Sequence, residues 1–199
     1  MPFVFKGLAL IMSIAAASAA DKEPPPFKPA PAASLANHQT SEKVTIGVEP
    51  YVTDDKVKIA FGKLNPYQYG IVPVLLVIQN DGDKAIKLDH IKAEYVGPGN
   101  ERVEATPARE VRYLRPPQRP NMIPGPAGQV KVLKTKKNPL DEWEIEGRSF
   151  TAAMLPPGQS ASGFIYFQAE LRHGSSIYLS GITEAGTGRE LLYFEIPLQ

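Results

Sequence analysis

Every apolar run beyond residue 20 is soon interrupted by a charged residue, a glycine or a proline. A membrane-spanning helix needs about 20 consecutive apolar residues, so we expect no membrane span in the mature chain. Short apolar runs separated by turn residues predict roughly eight or nine short strands instead. The sequence therefore predicts a mostly β fold, an antiparallel sandwich with one short helix and a proline-rich loop.

Residues 1–20 have the three parts of an export signal. Lys6 supplies the positive charge, an apolar core runs from Gly7 to Ala17, and small residues continue to Ala20. This core is shorter than a bilayer span, and a cleavage-like stretch follows it. We expect cleavage before Asp21 and a protein that is periplasmic or secreted.

A change in composition divides the rest of the chain. Residues 21–42 consist largely of proline, alanine and small polar residues, including Pro24-Pro25-Pro26, without hydrophobic periodicity. Such a segment is typical of a disordered, polyproline-like spacer. The sequence predicts one sandwich domain over residues 43–199.

The missing residue types limit the compartment and the partners. The chain has no cysteine, so disulfides, cysteine metal sites and a lipid-carrying cysteine are excluded. A small secreted eukaryotic domain usually has disulfides, so a bacterial envelope is the better interpretation. Lysine plus arginine, 22, nearly balances aspartate plus glutamate, 21, so we expect no nucleic-acid partner.

The first half of the domain shows strand patterns of two kinds. Val44–Val48 and Val57–Phe61 alternate apolar and polar residues on either side of Asp54-Asp55, which predicts a hairpin. Val72–Gln79 is continuously apolar, which predicts a central strand covered on both faces. A turn should follow at Asn80-Asp81-Gly82-Asp83. Three further predictions concern a strand from Ile86 to Tyr95, a bulge at Asp89-His90, and a weaker strand pair over Val103–Leu114.

The second half contains the predicted helix and the remaining strands. Asn138, Pro139 and Asp141 are suited to a helix N-terminus, and Gly147 to its end, with Trp143 packed onto the sheet. In the strand after the Pro156-Pro157-Gly158 turn, we expect one face to hold Phe164 and Tyr166. The other face should hold Ala161, Gly163, Ile165 and Phe167. Other strands are predicted at 150–155, 177–182 and 191–196.

Two segments carry a resemblance to a known class of domain. Val74–Asn80 is a hydrophobic strand that runs into an Asn-Asp-Gly turn, and Leu155–Phe167 is a Pro-Gly turn followed by a Gly-aromatic strand. Together they resemble elements of exported bacterial immunoglobulin-like domains. The resemblance implies an antiparallel immunoglobulin-like β-sandwich that works in adhesion, structure or ligand binding rather than in catalysis. The chain departs from antibody-like domains because it lacks the cysteine pair and places its tryptophan in a predicted helix.

The possible catalytic and metal-binding motifs do not occur in the structural context that their chemistry requires. The serines of Gly158–Gly163 lie at a turn before a strand, not at the strand-to-helix elbow of a hydrolase. His38, His90 and His173 have no partner at metal-ligand spacing, although His90 and His173 remain able to meet in space. The glycine-containing turns match no phosphate-binding loop. We therefore predict no enzyme activity, no cofactor and no metal.

The remaining exposed features suggest a binding surface. Tyr51, Tyr67 and Tyr69 cluster in the first half, and tyrosines on loops make good contact residues. We predict contacts from the loop Asn65–Gly70 and from the proline-rich loop Pro116–Pro126. The candidate surface residues are Tyr67, Tyr69, Arg115 and Arg119.

A charged segment follows the proline-rich loop. Basic residues at 131, 134, 136 and 137 precede acidic residues at 141, 142, 144 and 146. Opposite charges so close in sequence favour a solvated surface over a docking patch.

These patterns favour a non-catalytic exported module that contacts another cell-envelope protein. The alternative is a carbohydrate-binding module that stacks a sugar on Tyr67 and Tyr69.

Overall fold

The computed structural model describes residues 27–114, 122–124, 130–132, 138–141, 143–191 and 193–198. The strands are β1 (Asn37–Ser41), β2 (Val44–Pro50), β3 (Val72–Asn80), β4 (Ile86–Lys87), β5 (Lys92–Val96), β6 (Arg102–Glu104), β7 (Met122–Pro124), β8 (Val130–Val132), β9 (Met154–Leu155), β10 (Ser160–Phe167), β11 (Ser176–Ser180), β12 (Thr183–Glu184) and β13 (Phe194–Pro197). The α-helices are α1 (Asp54–Phe61), α2 (Ala108–Val111) and α3 (Trp143–Gly147), and 3₁₀ turns lie at Ala32–Ser34, Pro66–Tyr69 and Arg112–Leu114.

Two four-stranded antiparallel sheets form the body of the protein. Sheet A has the order β1-β2-β3-β10, and sheet B has the order β13-β11-β5-β6. A small sheet, β12-β4-β9, and the β7–β8 hairpin complete the pairing among the described residues. The predicted mostly β, antiparallel sandwich is confirmed.

Sheet A is covered on both faces, as the apolar run of β3 predicts. Alternate β3 side chains, including Leu76 and Ile78, pack with residues of sheet B into one core. Leu75 and Val77 point to the opposite face and join a second core beneath the helices. Strand β10 divides in the same way, with Phe164 and Tyr166 on the helix face and Ile165 and Phe167 on the sheet face.

Helix α1 replaces the second strand of the predicted hairpin. Val57, Ala60 and Phe61 are buried, and Ile59 is 68% exposed, so the apolar face follows helical spacing rather than alternation. Asp54 and Asp55 lie in the first turn, where their charges complement the helix dipole. They begin a helix instead of marking a strand reversal.

Helix α3 also differs from the prediction. It covers only Trp143–Gly147, preceded by a turn in which the Asn138 side chain accepts a hydrogen bond from the Leu140 amide at 3.1 Å. Leu140 and Ile145 supply the buried contacts, while the Trp143 side chain is 67% exposed. The prediction that Trp143 packs onto the sheet is therefore wrong.

Other segments correct the predicted boundaries. Strand β1 lies within the range 21–42 that was predicted as a spacer, because its polar residues pair with β2 through the backbone. The predicted strand pair over Val103–Leu114 contains β6 followed by α2 and a 3₁₀ turn, so the structure has more helix than the one predicted. At Asp89-His90 the chain passes from the small sheet to sheet B, which explains the break in alternation without a bulge.

The two sheets approach each other at β1 and β13. The Gln39 side-chain carbonyl accepts a hydrogen bond from the Glu195 amide at 3.0 Å. Because β13 is an edge strand of sheet B, this bond occupies an amide that otherwise points to solvent. In the part of the chain that the structure describes, no helix is long and apolar enough to cross a membrane.

Candidate functional site

The most distinctive surface feature is a groove beside α3, here called the Trp143 groove. It is a cavity of about 420 Å³ lined by Phe27, Pro29, Trp143, Gly147, Arg148, Ser149, Thr151, Ser162 and Gly163. Phe27 and Trp143 both line it, and Ser162 belongs to β10. The groove therefore lies between α3 and the edge of β10.

Arg148 is the charged residue of this groove. Its guanidinium carbon lies 5.3 Å from the Phe27 ring centre and 6.0 Å from the Trp143 ring centre. The Nη1 atom is buried from solvent, and no described residue makes a hydrogen bond with it. Aromatic rings hold a guanidinium without neutralising it, so Arg148 keeps its positive charge at the groove.

Neighbouring charges are paired differently. Arg112 makes ion pairs of 3.2 Å with Asp141 and with Glu146. The hydrogen bond to Asp141 and the nearby negative charges raise the pKa of the Arg112 guanidinium. Arg148 makes no ion pair with any residue the structure describes, so its positive charge is not neutralised by these helix carboxylates.

The groove includes the outer edge of β10. The Phe164 amide donates to the Arg148 carbonyl at 2.8 Å, and the Phe150 amide donates to the Phe164 carbonyl at 2.9 Å. Phe164 thus directs both backbone groups away from β3, and every second residue of an antiparallel strand does the same. Ser162 and Ser160 consequently present their backbone groups outward, and no described segment pairs with them.

Two glycines keep this geometry possible. A Cβ atom on Gly163 would lie 2.5 Å from the Phe150 Cα, so only glycine lets residues 148–150 run beside β10. A Cβ atom on Gly147 would lie 2.9 Å from Cε3 of Trp143. A side chain there would displace the indole ring and change the groove wall.

The predicted tyrosine site is divided by the fold. Tyr67 is half-buried against the sheet–sheet core, and Tyr69 is half-buried against the helix-side core. Tyr51 is buried, and its ring meets Phe164 edge-on at 5.0 Å. Tyr67 and Tyr69 therefore do not form one stacking platform.

The loop Asn65–Gly70 nevertheless borders a second cavity of about 460 Å³. Tyr69, Asn65 and Gln68 line it together with Lys63 and Glu144. One carboxylate oxygen of Glu144, Oε2, is buried and has no hydrogen-bond partner among the residues that the structure describes. Helix α3 places Glu144 at this cavity, and Arg148, which directly follows the helix, lines the Trp143 groove.

Several predicted contacts lie outside the described residues. Arg115 and Arg119 belong to this group, as does most of the loop Pro116–Pro126, except Met122–Pro124, which forms β7. Of the predicted basic segment, Lys131 lies in β8.

The histidines do not assemble a site with acidic residues. The His90 side chain is 82% exposed and lies 3.7 Å from Asp89. His173 is exposed. Over the described ranges, no three His, Cys, Asp or Glu residues come together in a metal-binding arrangement.

The outer face of sheet B carries an aromatic stack that the sequence analysis missed. The Tyr178 and Tyr193 rings stack with centres 5.3 Å apart, and the Arg102 guanidinium lies 4.9 Å from the Tyr178 ring centre. Glu94 holds Arg102 through an ion pair of 2.6 Å. Tyr178 lies in β11 and Tyr193 directly precedes β13, and the sequence does not show that these two strands are neighbours in one sheet.

Comparisons with known proteins give no family. No protein-family model and no curated protein matches the chain. A Bacillus subtilis subsp. subtilis str. 168 protein described as a putative lipoprotein is 10% identical, covering 80% of this chain and 38% of that chain, with a TM-score of 0.36. A functionally unknown protein from Listeria monocytogenes EGD-e is 12% identical, covering 81% of both chains, with a TM-score of 0.32. The chain thus spans less than two fifths of the Bacillus protein.

Proposed function

We propose that this protein is an exported, non-catalytic binding module that contacts another cell-envelope protein through the Trp143 groove. The observation that carries the proposal is the pairing of an exposed tryptophan with a partnerless arginine nitrogen in one groove. Tryptophan and arginine are the residue types that most often dominate binding energy at protein interfaces. An exposed indole beside an unused donor is typical of a surface that becomes buried in a complex.

The sequence and the fold support the export part of this proposal. Residues 1–20 have the pattern of a signal peptide, which favours a periplasmic or secreted protein. The antiparallel sandwich and the Pro-Gly turn before β10 agree with kinship to exported bacterial immunoglobulin-like domains. That kinship is part of the proposal.

Affinity purification of the C-terminally tagged protein from its own envelope, followed by mass spectrometry, tests the proposal. We expect a reproducible partner that is lost with Trp143→Ala. Tyr193→Ala is the matched control, because it removes another exposed aromatic ring at a distant surface. Recovery of the same partner with Trp143→Ala would contradict the groove assignment, and recovery of no partner from the parent would contradict the function.

A carbohydrate-binding module is a second candidate, supported by the Tyr178–Tyr193 stack on sheet B. Exposed aromatic rings offer flat apolar faces with a polar hydroxyl, which suits sugar rings. The predicted Tyr67 and Tyr69 platform is replaced here, since those rings pack against different cores. Glycan-array binding that is lost with Tyr193→Ala and kept with Trp143→Ala would favour this candidate, and an array without signal would count against it.

A further inference from the structure

The Trp143 groove combines a free strand edge with an unneutralised cation. Ser160 and Ser162 present backbone amides and carbonyls away from β3, and no described segment pairs with them. Arg148 is the first residue of the segment 148–150, which bonds to the β10 edge at Phe164. Backbone groups that are unpaired within the described residues therefore lie at the same groove as a guanidinium.

The protein itself shows how this edge binds an extended segment. Residues 148–150 run parallel to β10 and bond to both backbone groups of Phe164. Farther along, the Thr106 amide donates to the Tyr166 carbonyl at 2.7 Å. The two ends of β10 thus differ: the end near Phe164 and Tyr166 is occupied by the chain, and the end at Ser160–Ser162 is open.

The opposite side of the sandwich is protected by contrast. There, the Gln39 side chain occupies the outward amide of Glu195 on β13. Proteins usually block exposed strand edges, because an open edge is a template for pairing with another chain. An open edge beside an exposed tryptophan and a partnerless arginine nitrogen fits a binding edge.

We propose that the Trp143 groove binds an extended segment of another protein by strand addition to β10, with an Asp or Glu side chain of that segment bound by Arg148. This inference rests on the proposed function and names the mode of binding and the chemistry of the partner. The guest strand pairs with Ser160 and Ser162, and apolar side chains on one of its faces contact Trp143 and Phe27. The carboxylate pairs with the Arg148 guanidinium through a charge-assisted hydrogen bond, which requires the side chain to turn so that the buried Nη1 reaches the guest.

The charge of the groove decides the guest's chemistry. Arg148 is the charged side chain among the described residues that line it, and its neighbours Ser149, Thr151 and Ser162 are neutral. A basic guest would place a second cation beside a guanidinium that already lacks a counter-ion. An acidic guest supplies that counter-ion.

Selection of linear peptides on the full mature protein tests the inference. The probe is a library of random, C-terminally amidated peptides, followed by affinity measurement on individual peptides. We expect enrichment of Asp or Glu next to apolar residues, and at least about a tenfold weaker affinity with Arg148→Met. Arg172→Met is the matched control, because Arg172 is an exposed arginine that pairs with Glu101 and Glu170 elsewhere.

Backbone pairing is tested separately. Ser162→Pro removes an amide that points away from β3, so it should weaken the selected peptides while leaving the β3–β10 bonds intact. N-methylation along the peptide should abolish binding at every second position, the period of strand pairing. This scan needs no protein variant and stays informative if Ser162→Pro fails to fold.

The outcomes separate this inference from the proposed function. Peptides that bind Arg148→Met and Ser162→Pro as well as the parent, or a scan without a period of two, would overturn strand addition. A selection that enriches no peptide would overturn it as well. The binding-module function would still stand if the envelope partner is recovered and depends on Trp143.

Discussion

The two faces of sheet A are packed in different ways. The face toward sheet B is mainly aliphatic, with β3 contributing Val72, Val74, Leu76 and Ile78 to the core. The face toward the helices is built around aromatic rings, with Phe164 within 5.4 Å of Phe27 and 4.7 Å of Phe61, measured between ring centres. One face packs against a second hydrogen-bonded sheet, and the other is covered by short helices.

This difference distinguishes the face that packs against sheet B from the face that carries the candidate site. Side chains from the inner faces of two sheets interdigitate, whereas on the helix face large aromatic rings supply much of the buried area. The helix layer is held to the sheet by a few polar ties, such as the bond from the Tyr166 hydroxyl to the Ile145 carbonyl at 2.8 Å. The Trp143 groove lies on this face. The candidate site is therefore on the face of sheet A that helices cover, not on the face that packs against sheet B.

Adjacent residues of β3 give the sharpest test of the comparison. Leu76→Ala and Leu75→Ala delete the same side chain on opposite faces, and both leucines are fully buried. We expect each variant to lower the free energy of unfolding by about 2–5 kcal/mol, with the larger loss for Leu76→Ala. Two hydrogen-bonded sheets cannot move together to fill the cavity that Leu76→Ala leaves, whereas short helices are able to shift into the cavity that Leu75→Ala leaves. Urea unfolding followed by far-UV circular dichroism measures both, and an equal or larger loss for Leu75→Ala would contradict the comparison.

Alkaline pH should weaken the helix face selectively through Tyr51. Burial, then the nearby charge of Glu49 and a hydrogen bond with it, raise the pKa of Tyr51 from 10.0 to about 12. The neutral phenol is therefore favoured in the fold, and its contribution is complete below pH 10 and lost as the pH rises toward 12. The loss should reach at most about 2–3 kcal/mol. Tyr51→Phe should show less alkaline destabilisation than the parent, and identical pH profiles would exclude this role.

Removal of the hydrogen bond from the Tyr166 hydroxyl to the Ile145 carbonyl tests how the helix layer is attached to sheet A. Tyr166→Phe leaves the Ile145 carbonyl without its partner, and the expected cost is about 1–3 kcal/mol. Trp143 is the only tryptophan, so its fluorescence reports on α3 while circular dichroism reports on the sheets. We expect the fluorescence transition to move to lower urea than the dichroism transition.

Tyr178→Phe is the control for that experiment, because the Tyr178 hydroxyl lies on sheet B and away from α3. It should leave both transitions close to those of the parent. Coincident transitions in Tyr166→Phe would indicate that the helix layer and the sheets unfold as one unit.

The sequence predicts the sheet–sheet side of the fold better than the helix side. The continuous run of β3 predicts its burial on both faces, and the alternation of β10 assigns its residues to the correct faces, because a strand's period of two is visible in a few residues. In α1, the set Val57, Ile59 and Phe61 fits alternation, while Val57, Ala60 and Phe61 fit a helix. A segment this short satisfies both periods, and only the packing against sheet A selects the helix.

The candidate site was beyond sequence analysis for a similar reason. Trp143 and Arg148 are near each other in the chain, but Phe27 and the edge of β10 reach them only through the fold. The predicted Tyr67 and Tyr69 are neighbours in sequence, yet β3 begins just after them and separates the cores on which they pack. A sequence does not reveal on which side of a sheet each residue of such a loop lies.

The smallest expected effect concerns an ion-pair cluster on the sheet–sheet side. Arg189 bonds to Glu42 in the β1–β2 turn at 2.6 Å and to Glu184 of β12 at 2.9 Å, and Lys84 reaches Glu184 at 3.2 Å. Hydrogen bonds from Thr187, Arg189 and Lys84 lower the pKa of Glu184 from 4.5 to about 2. Its stabilisation is therefore present above pH 4.5 and is lost as the pH falls toward 2. Exposed ion pairs contribute little, so this effect should be smaller than that of any core change.

Glu184→Gln makes that pH dependence measurable. The difference in urea midpoint between the parent and the variant should be largest near neutral pH, shrink between pH 4.5 and 2, and decrease with added salt. Glu170→Gln is the control, since Glu170 pairs with Arg172 at 3.6 Å on an exposed surface. A Glu184→Gln difference that stays constant with pH would mean that the cluster does not help to hold the small sheet against sheet A.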